Sequence, residues 1–214
     1  MPKLKVLNLF RIQLSLLPSS LGHLINLQTL CLDYSKIEDF AIIGKLKRLK
    51  VLSLQHSDIK ELTTEISQLT QLRLLDLSNC GRLEVIAPNV ISKLSQLEDL
   101  YVQLCPIQWN VEVLEELKGL SKLTRLELDI KDSKMLPQGF FSKELRRYNI
   151  SIGDWPARIN GDESLRTLQF KVNSTISLEE FQGIKNVEFL LFANVENGLD
   201  ELQSNITPLF NEKV

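Results

Sequence analysis

Four carboxylates sit in short apolar segments of this chain: Asp76 in LRLLDL, Asp99 in LEDLYV, and Glu127 and Asp129 in LTRLELDI. Paired carboxylates can act as general acid and base when one of them is held protonated and a reacting group lies within reach. Neither condition is supported here. No histidine or cysteine adjoins them, and His23 and His56 fall in unrelated local contexts. There is no GxxxxGK[ST] phosphate loop, GxSxG elbow, HExxH zinc motif or kinase signature. A solvated or partner-facing role therefore fits these acids better. No catalytic residue, metal site or cofactor is expected, and the chain is expected not to be an enzyme. Cys31, Cys80 and Cys105 are odd in number and without CxxC spacing, as suits a reducing compartment rather than a disulfide framework or a zinc site.

The elements that would position these residues follow from one recurring pattern. An LxxLxL segment opens at Leu4, Leu27, Leu49, Leu72, Leu97 and Leu123, at first 23, 22 and 23 residues apart, and weaker copies open at Leu145, Leu165 and Val187. About nine repeats result. Alternation with period two sends the leucines of each xLxL segment to one side of a short strand. One repeat cannot bury them alone, so neighbouring units must stack, pair their strands in parallel and share an apolar spine. The return segments carry Leu14, Leu17, Leu21 and Leu24, or Ile59, Leu62, Ile66 and Leu69, near helical spacing. They predict short helices or 3₁₀ turns, with Leu17-Pro18 marking where the chain leaves the strand. Asn110 to Leu120 reads as a capped helix with Val113, Leu114, Leu117 and Leu120 inward. The predicted fold is α/β: a leucine-rich-repeat solenoid, a horseshoe with a concave parallel β-sheet and short convex helices or 3₁₀ turns. It is read as a single domain over 1–214, regular over 1–105 and less regular over 106–214. Gly153 to Pro156 and Asn160 to Asp162 form its one clear turn-rich interruption.

If the leucines face inward, the residues between them face out. The partner-binding residues expected from the pattern are Phe10, Arg11, Tyr34, His56, Asp76, Asn79, Tyr101, Gln103, Arg125, Glu127, Arg147 and Gln169. Phe10, Tyr34, Tyr101, Arg125 and Arg147 are the candidate anchors, because aromatic and arginine side chains supply most interface energy. Phe10, in the first repeat, equally suits contact with a further N-terminal neighbour. Cys31 also falls on this face. Cys80 and Cys105 share a slot three residues past the strand core, as does Asn173, and are expected to turn inward and satisfy the backbone of the bend.

Composition narrows the partners. A net charge of −2 gives no nucleic-acid footprint, and the densest basic stretch, Lys45, Lys47, Arg48 and Lys50, interleaves with Ile43, Leu46 and Leu49 as a solvated turn would. Neither a secretory leader pattern near Met1 nor an apolar run long enough to span a bilayer is found, so the expected address is cytoplasmic, with no membrane partner. The sequons at Asn149, Asn173 and Asn205 then carry no glycan.

Longer stretches carry a more specific likeness. LPSSL from Leu17, LINLQTLCLD, AIIGKLKRLKVLSLQHSDIKEL and above all LTQLRLLDLSNCGRLEVIAPNVISKLSQLEDLYV resemble the repeat region of plant intracellular disease-resistance proteins of the coiled-coil, nucleotide-binding type. ISIGDW and SLEEFQGIKNVEFL resemble it less closely. The resemblance implies a protein-recognition module that senses a pathogen effector or a modified host protein, and that packs on the nucleotide-binding domain of a parent receptor. Leu62-Thr63-Thr64 departs from the family's usual Leu-Pro. No coiled-coil or nucleotide-binding domain accompanies the repeats, so nucleotide chemistry is not carried over. With a strand starting so near Met1, the chain is expected to be a fragment of a larger receptor, a truncated product or an autonomous repeat protein. The alternative reading is a substrate adaptor or scaffold that binds an intracellular partner protein.

Overall fold

The computed structural model describes residues 3–13, 16–142, 145–153, 166–171 and 187–193. Leu14, Leu165, most of the interruption after Gly153, Asn173, and the SLEEFQGI stretch lie outside them. Two compact units divide the chain, Met1–Leu123 and Thr124–Val214.

The first unit is a stack of coils. Strands β1 (Val6–Asn8), β2 (Thr29–Cys31) and β3 (Val51–Ser53) come first, followed by the two-residue β4 (Glu61–Leu62). Next are β5 (Leu74–Asp76), the short β6 (Val85–Ile86), helix α1 (Val90–Lys93), β7 (Asp99–Val102) and helix α2 (Val111–Gly119). Strands β1, β2, β3, β5 and β7 pair in parallel in that order, with Leu7, Leu30, Leu52, Leu75 and Leu100 in register. Strands β4 and β6 form a second, two-stranded parallel sheet on the return path. The LxxL leucine that precedes each strand closes a tight turn: Leu27, Leu49 and Leu72 donate their N–H to the carbonyl three residues back at 2.8, 2.9 and 2.9 Å. That turn sets where each strand begins.

The spine is dry. Leu30, Leu52 and Leu75 are fully buried, as are Leu27, Leu49 and Leu72 and the return-side Ile43, Ile66 and Leu69, and each buried leucine stabilises the fold by roughly 1.5–3 kcal/mol. The return segments are 3₁₀ turns at Ser19–His23, Ile43–Lys45 and Thr64–Gln68, then α1 and α2. These turns pack so closely that a side chain at Gly44 would place its Cβ 2.9 Å from the Glu65 carbonyl oxygen. Pro18 is extended and immediately precedes the first turn, as expected of a residue that ends strand geometry. Asn110 caps α2, accepting from the Val113 N–H at 2.9 Å, and Val113, Leu114 and Leu117 are its buried stripe. Glu116 on that helix reaches back and accepts from the backbone N–H groups of Asn89 and Ser92 at 2.7 and 2.9 Å, satisfying the start of α1. The Lys45 to Lys50 stretch is indeed a solvated turn around buried Ile43, Leu46 and Leu49.

Past each strand the chain bends inward, and there the inward plug extends further than the cysteines. Cys80 donates its thiol to the Leu54 carbonyl and Cys105 to the Leu77 carbonyl, each at 3.0 Å. One and two repeats earlier, Ser57 and Ser35 fill the same slot: Ser57 Oγ donates to the Leu32 carbonyl at 2.8 Å and Ser35 Oγ to the Leu9 carbonyl at 3.4 Å. The serines also accept. Ser35 Oγ takes the Ile12 N–H at 3.1 Å, and Ser57 Oγ takes the Ser35 N–H at 3.2 Å.

The second unit contains β8 (Arg125–Ile130), β9 (Arg147–Ile152), β10 (Arg166–Lys171) and β11 (Phe189–Ala193), parallel and in that order. These strands are five or six residues long against three or four for β1, β2, β3, β5 and β7, because alternation continues through LELDI and YNISI. Strand β9 ends where Gly153 takes a φ of 107°. Tyr148 replaces a repeat leucine and keeps its inward place, in register with Leu126. Burial pushes its phenol up to about 12; the Arg166 cation opposes the shift and the Glu188 anion adds to it.

Two outcomes follow from these contacts. Ser57→Ala removes the partner of two buried backbone groups and lowers unfolding stability by about 2 kcal/mol in urea titration, whereas Ser57→Cys, the residue used by later repeats, retains a larger part of it. Because the folded phenol of Tyr148 holds its proton more tightly than the unfolded one, its contribution is complete below pH about 10 and is lost as pH rises toward about 12. Absorbance titration then shows a late-ionising component, and Tyr148→Phe abolishes both that component and its share of the alkaline destabilisation.

Candidate protein-docking face

Strand register sorts the outward residues of the first unit into columns. Val6, Thr29, Val51, Leu74 and Asp99 share one column, and Asn8, Cys31, Ser53, Asp76 and Tyr101 share the next. Beyond the strands the ladder continues: Leu9, Leu32, Leu54 and Leu77 donate to the carbonyls of Cys31, Ser53, Asp76 and Tyr101 at 2.8 Å each. The next turn of the ladder joins Arg11 N–H to Asp33, Tyr34 to Gln55, His56 to Ser78 and Asn79 to Gln103, at 2.8 to 2.9 Å.

The residues that make this last bond have left extended geometry. Arg11, Tyr34, His56, Asn79 and Leu104 have φ of 56°, 57°, 54°, 62° and 57°, the left-handed region. One such residue per coil turns the chain toward the plug, and Arg11, Tyr34, His56 and Asn79 keep their N–H on the next coil. Asparagine takes this conformation readily, but for the other four it costs on the order of 1 kcal/mol each.

This bend gathers four of the expected partner-binding residues. Phe10 and Tyr34 meet edge to face at 5.2 Å between ring centroids, and Tyr34 and His56 stack at 4.4 Å and 11°. The Arg11 guanidinium carbon lies 5.1 Å from the Phe10 centroid and 5.5 Å from that of Tyr34. Phe10 is 54% exposed and Tyr34 43%. Pattern reading placed Arg11, Tyr34, His56 and Asn79 on the face although alternation alone would turn them inward; the left-handed bend is what brings them out. Leu104 occupies the same slot, 42% exposed, and counting on from Asn79 would have found it.

Other expected residues are less accessible than their spacing implies. Asp76, Gln103 and Gln169 lie on the outward side yet are only 8%, 3% and 3% exposed, which corrects the expectation that they meet a partner. Asp76 stands in register between Ser53 and Tyr101, and Gln169 between Ser151 and Leu191, and at strand spacing such neighbours crowd a side chain on the sheet face. Asp76 accepts from the Ser78 N–H at 3.0 Å and from the Gln55 side-chain amide. Its neighbour Asp33 accepts from Ser53 Oγ at 2.6 Å and the Gln55 N–H at 3.0 Å. Their donors place these acids in structural hydrogen bonds. Tyr101 is half-buried. In the second unit Arg125 and Arg147 are in register, the former half-buried and the latter exposed, with half-buried Glu127 facing Asn149.

Cys31 is half-buried, and its thiol is pushed up by burial and by the Asp33 charge, opposite to what a reactive thiolate needs. All three cysteines are free. Among the described residues no three His, Cys, Asp or Glu side chains gather where they could hold a metal ion, and no helix is long and apolar enough to cross a membrane.

Residues 40–149, just over half of the chain, match a family model described as a leucine-rich repeat region. The chain belongs to the leucine-rich-repeat family. It is 30% identical to a disease resistance protein of Arabidopsis thaliana over 71% of this chain, and spans 17% of that relative's length. Among solved structures, internalin C2 of Listeria monocytogenes aligns with a TM-score of 0.61 at 19% identity, covering 91% of this chain and 76% of that one. A leucine-rich-repeat protein of Leptospira interrogans aligns at 0.57 and 21% identity, covering 89% and 50%. These two likenesses are of fold. The leucine-rich-repeat solenoid and its role as a protein-interaction module are thereby established for this chain.

Asn79→Ala, which keeps the Cβ in the left-handed slot and removes the polar group that compensates for it, is expected to lower stability by about 1 kcal/mol, with Asn79→Gly costing less; chemical denaturation of both variants measures the difference.

Proposed function

We propose that this chain is the recognition module of a plant immune receptor, and that the outward face of its sheets docks a pathogen effector or a modified host protein. It would act in the cytoplasm as a single repeat domain over 1–214, beside the nucleotide-binding domain of a larger receptor. The observation that carries the reading is the exposed row of Phe10, Arg11, Tyr34 and His56, continuous across three repeats and placed at a bend whose geometry favours smaller polar residues. Large side chains kept where the backbone disfavours them point to a use outside folding. The column Val6, Thr29, Val51, Leu74 adds an apolar strip at the other end of the strands. Aromatic, arginine and apolar anchors around a polar, hydrogen-bonded centre are what a protein interface requires. Similarity to a disease resistance protein supports the immune-sensing reading.

Proximity labelling in pathogen-challenged leaf tissue, with this chain as bait, should recover a pathogen protein or a host protein modified on infection. Direct titration of that partner against Val51→Glu/Tyr101→Ala is expected to show at least a tenfold loss with an unchanged circular dichroism spectrum. An affinity equal to wild type would remove the sheet face from recognition. Recovery of ubiquitin-ligase components instead would favour the adaptor reading.

A further inference from the structure

We infer that the Arg11–Tyr34–His56 stack, with Phe10 at its end, seats a partner segment that sets a carboxylate beside an aromatic side chain. The inference rests on the docking reading above and adds the chemistry of what is docked.

Three observations lead to it. The first concerns charge. Several cations elsewhere in the unit rest on side-chain oxygens, as Arg82 on Asp58 at 3.0 Å, Lys36 on Glu38 at 2.9 Å and Arg48 on Asn26 at 2.7 Å. Among the described residues Arg11 takes part in no ion pair, and its guanidinium leans on two rings. The nearest acid along the ladder, Asp33, turns Oδ1 to Ser53 Oγ and the Gln55 N–H on the neighbouring strand. A guanidinium that rests on rings and not on an acid keeps N–H donors available, and these can receive a carboxylate through two parallel hydrogen bonds.

The second concerns the rings. Tyr34 meets both Arg11 and His56, and the exposed rings of Phe10 and Tyr34 give a further aromatic side chain a surface to pack on beside the guanidinium. A lone anion would leave that surface wet. A purely apolar segment would cover Arg11 and leave it without a counter-charge, which is costly. Only a segment supplying both groups satisfies both requirements.

The third concerns backbone conformation. Tyr34 and His56 occupy left-handed positions that the same fold fills with asparagine at Asn79. The backbone conformation alone would be served at least as well by asparagine, so a folding role for Tyr34 must lie in its ring stacking, and the two roles make opposite forecasts for Tyr34→Asn. Structural stacking alone predicts a lower melting temperature and intact binding. Docking predicts an equal or higher melting temperature and lost binding.

A random peptide library displayed against the purified chain provides the test. Enriched sequences are expected to carry Asp or Glu within two residues of Trp, Tyr or Phe. A synthetic peptide of the enriched sequence should bind at least tenfold more weakly to Arg11→Glu, and equally weakly to wild type when its acid is replaced by the amide. Tyr34→Asn should abolish binding without lowering the melting temperature. Enrichment of basic sequences, no enrichment, or an acidic aromatic peptide indifferent to Arg11→Glu would each overturn the inference. Peptides indifferent to Arg11→Glu but lost in Val51→Glu/Tyr101→Ala would reject this stack while leaving the docking face standing; loss of partner binding by neither set of variants would reject the face itself.

Discussion

No coil of the first unit can satisfy itself. Each has leucines that its own return side cannot enclose alone, and a bend whose carbonyl is bonded by a side chain of the next coil. The leucines of β1, β2, β3, β5 and β7 stand in register, and the carbonyls of Leu9, Leu32, Leu54 and Leu77 are each reached by a side chain supplied one repeat later. Stability is therefore a property of neighbours. This also explains why Leu7, with a strand on one side only among the described residues, is half-buried while Leu30 and Leu52 are fully enclosed.

The same dependence decided how much could be read from the sequence. Leucine spacing reports the inward side directly, so strand positions, parallel pairing and the inward place of Tyr148 were legible from composition and period. The capped helix at Val111–Gly119 was legible because Asn110 and its stripe are local signals. Bond-forming groups were harder. Cys80 and Cys105 stood out as unusual residues in a shared slot, whereas Ser35 and Ser57 do the same work and passed unnoticed, since serine is unremarkable in a bend. Strand length in the second unit also escaped, because LxxLxL marks where a strand starts and gives no signal for where it stops.

At the site, residue identities were legible and their surroundings were not. Alternation says which way a Cβ points, and so it put Asp76, Gln103 and Gln169 outward correctly. Whether such a side chain is reachable depends on neighbours about a strand spacing away, and those belong to other repeats. Conversely, the grouping of Phe10 with Tyr34 and His56 needs the left-handed bend, which the local sequence does not announce: Arg, Tyr, His and Leu are not residues from which anyone would infer a positive φ.

That bend separates two demands that usually compete. Its conformation is imposed from outside, by an N–H that must reach the following coil and a plug that must reach the preceding one, and neither bond involves the side chain at the bend itself. The residue there can be exchanged with little change to how the chain winds. A string of such positions, one per coil and a strand's width apart, amounts to a line of interchangeable letters on a fixed page: Arg, Tyr, His, Asn and Leu in the first unit. Rewriting one letter alters what the surface presents at that coil and leaves the other coils' text, and the paper, as they were.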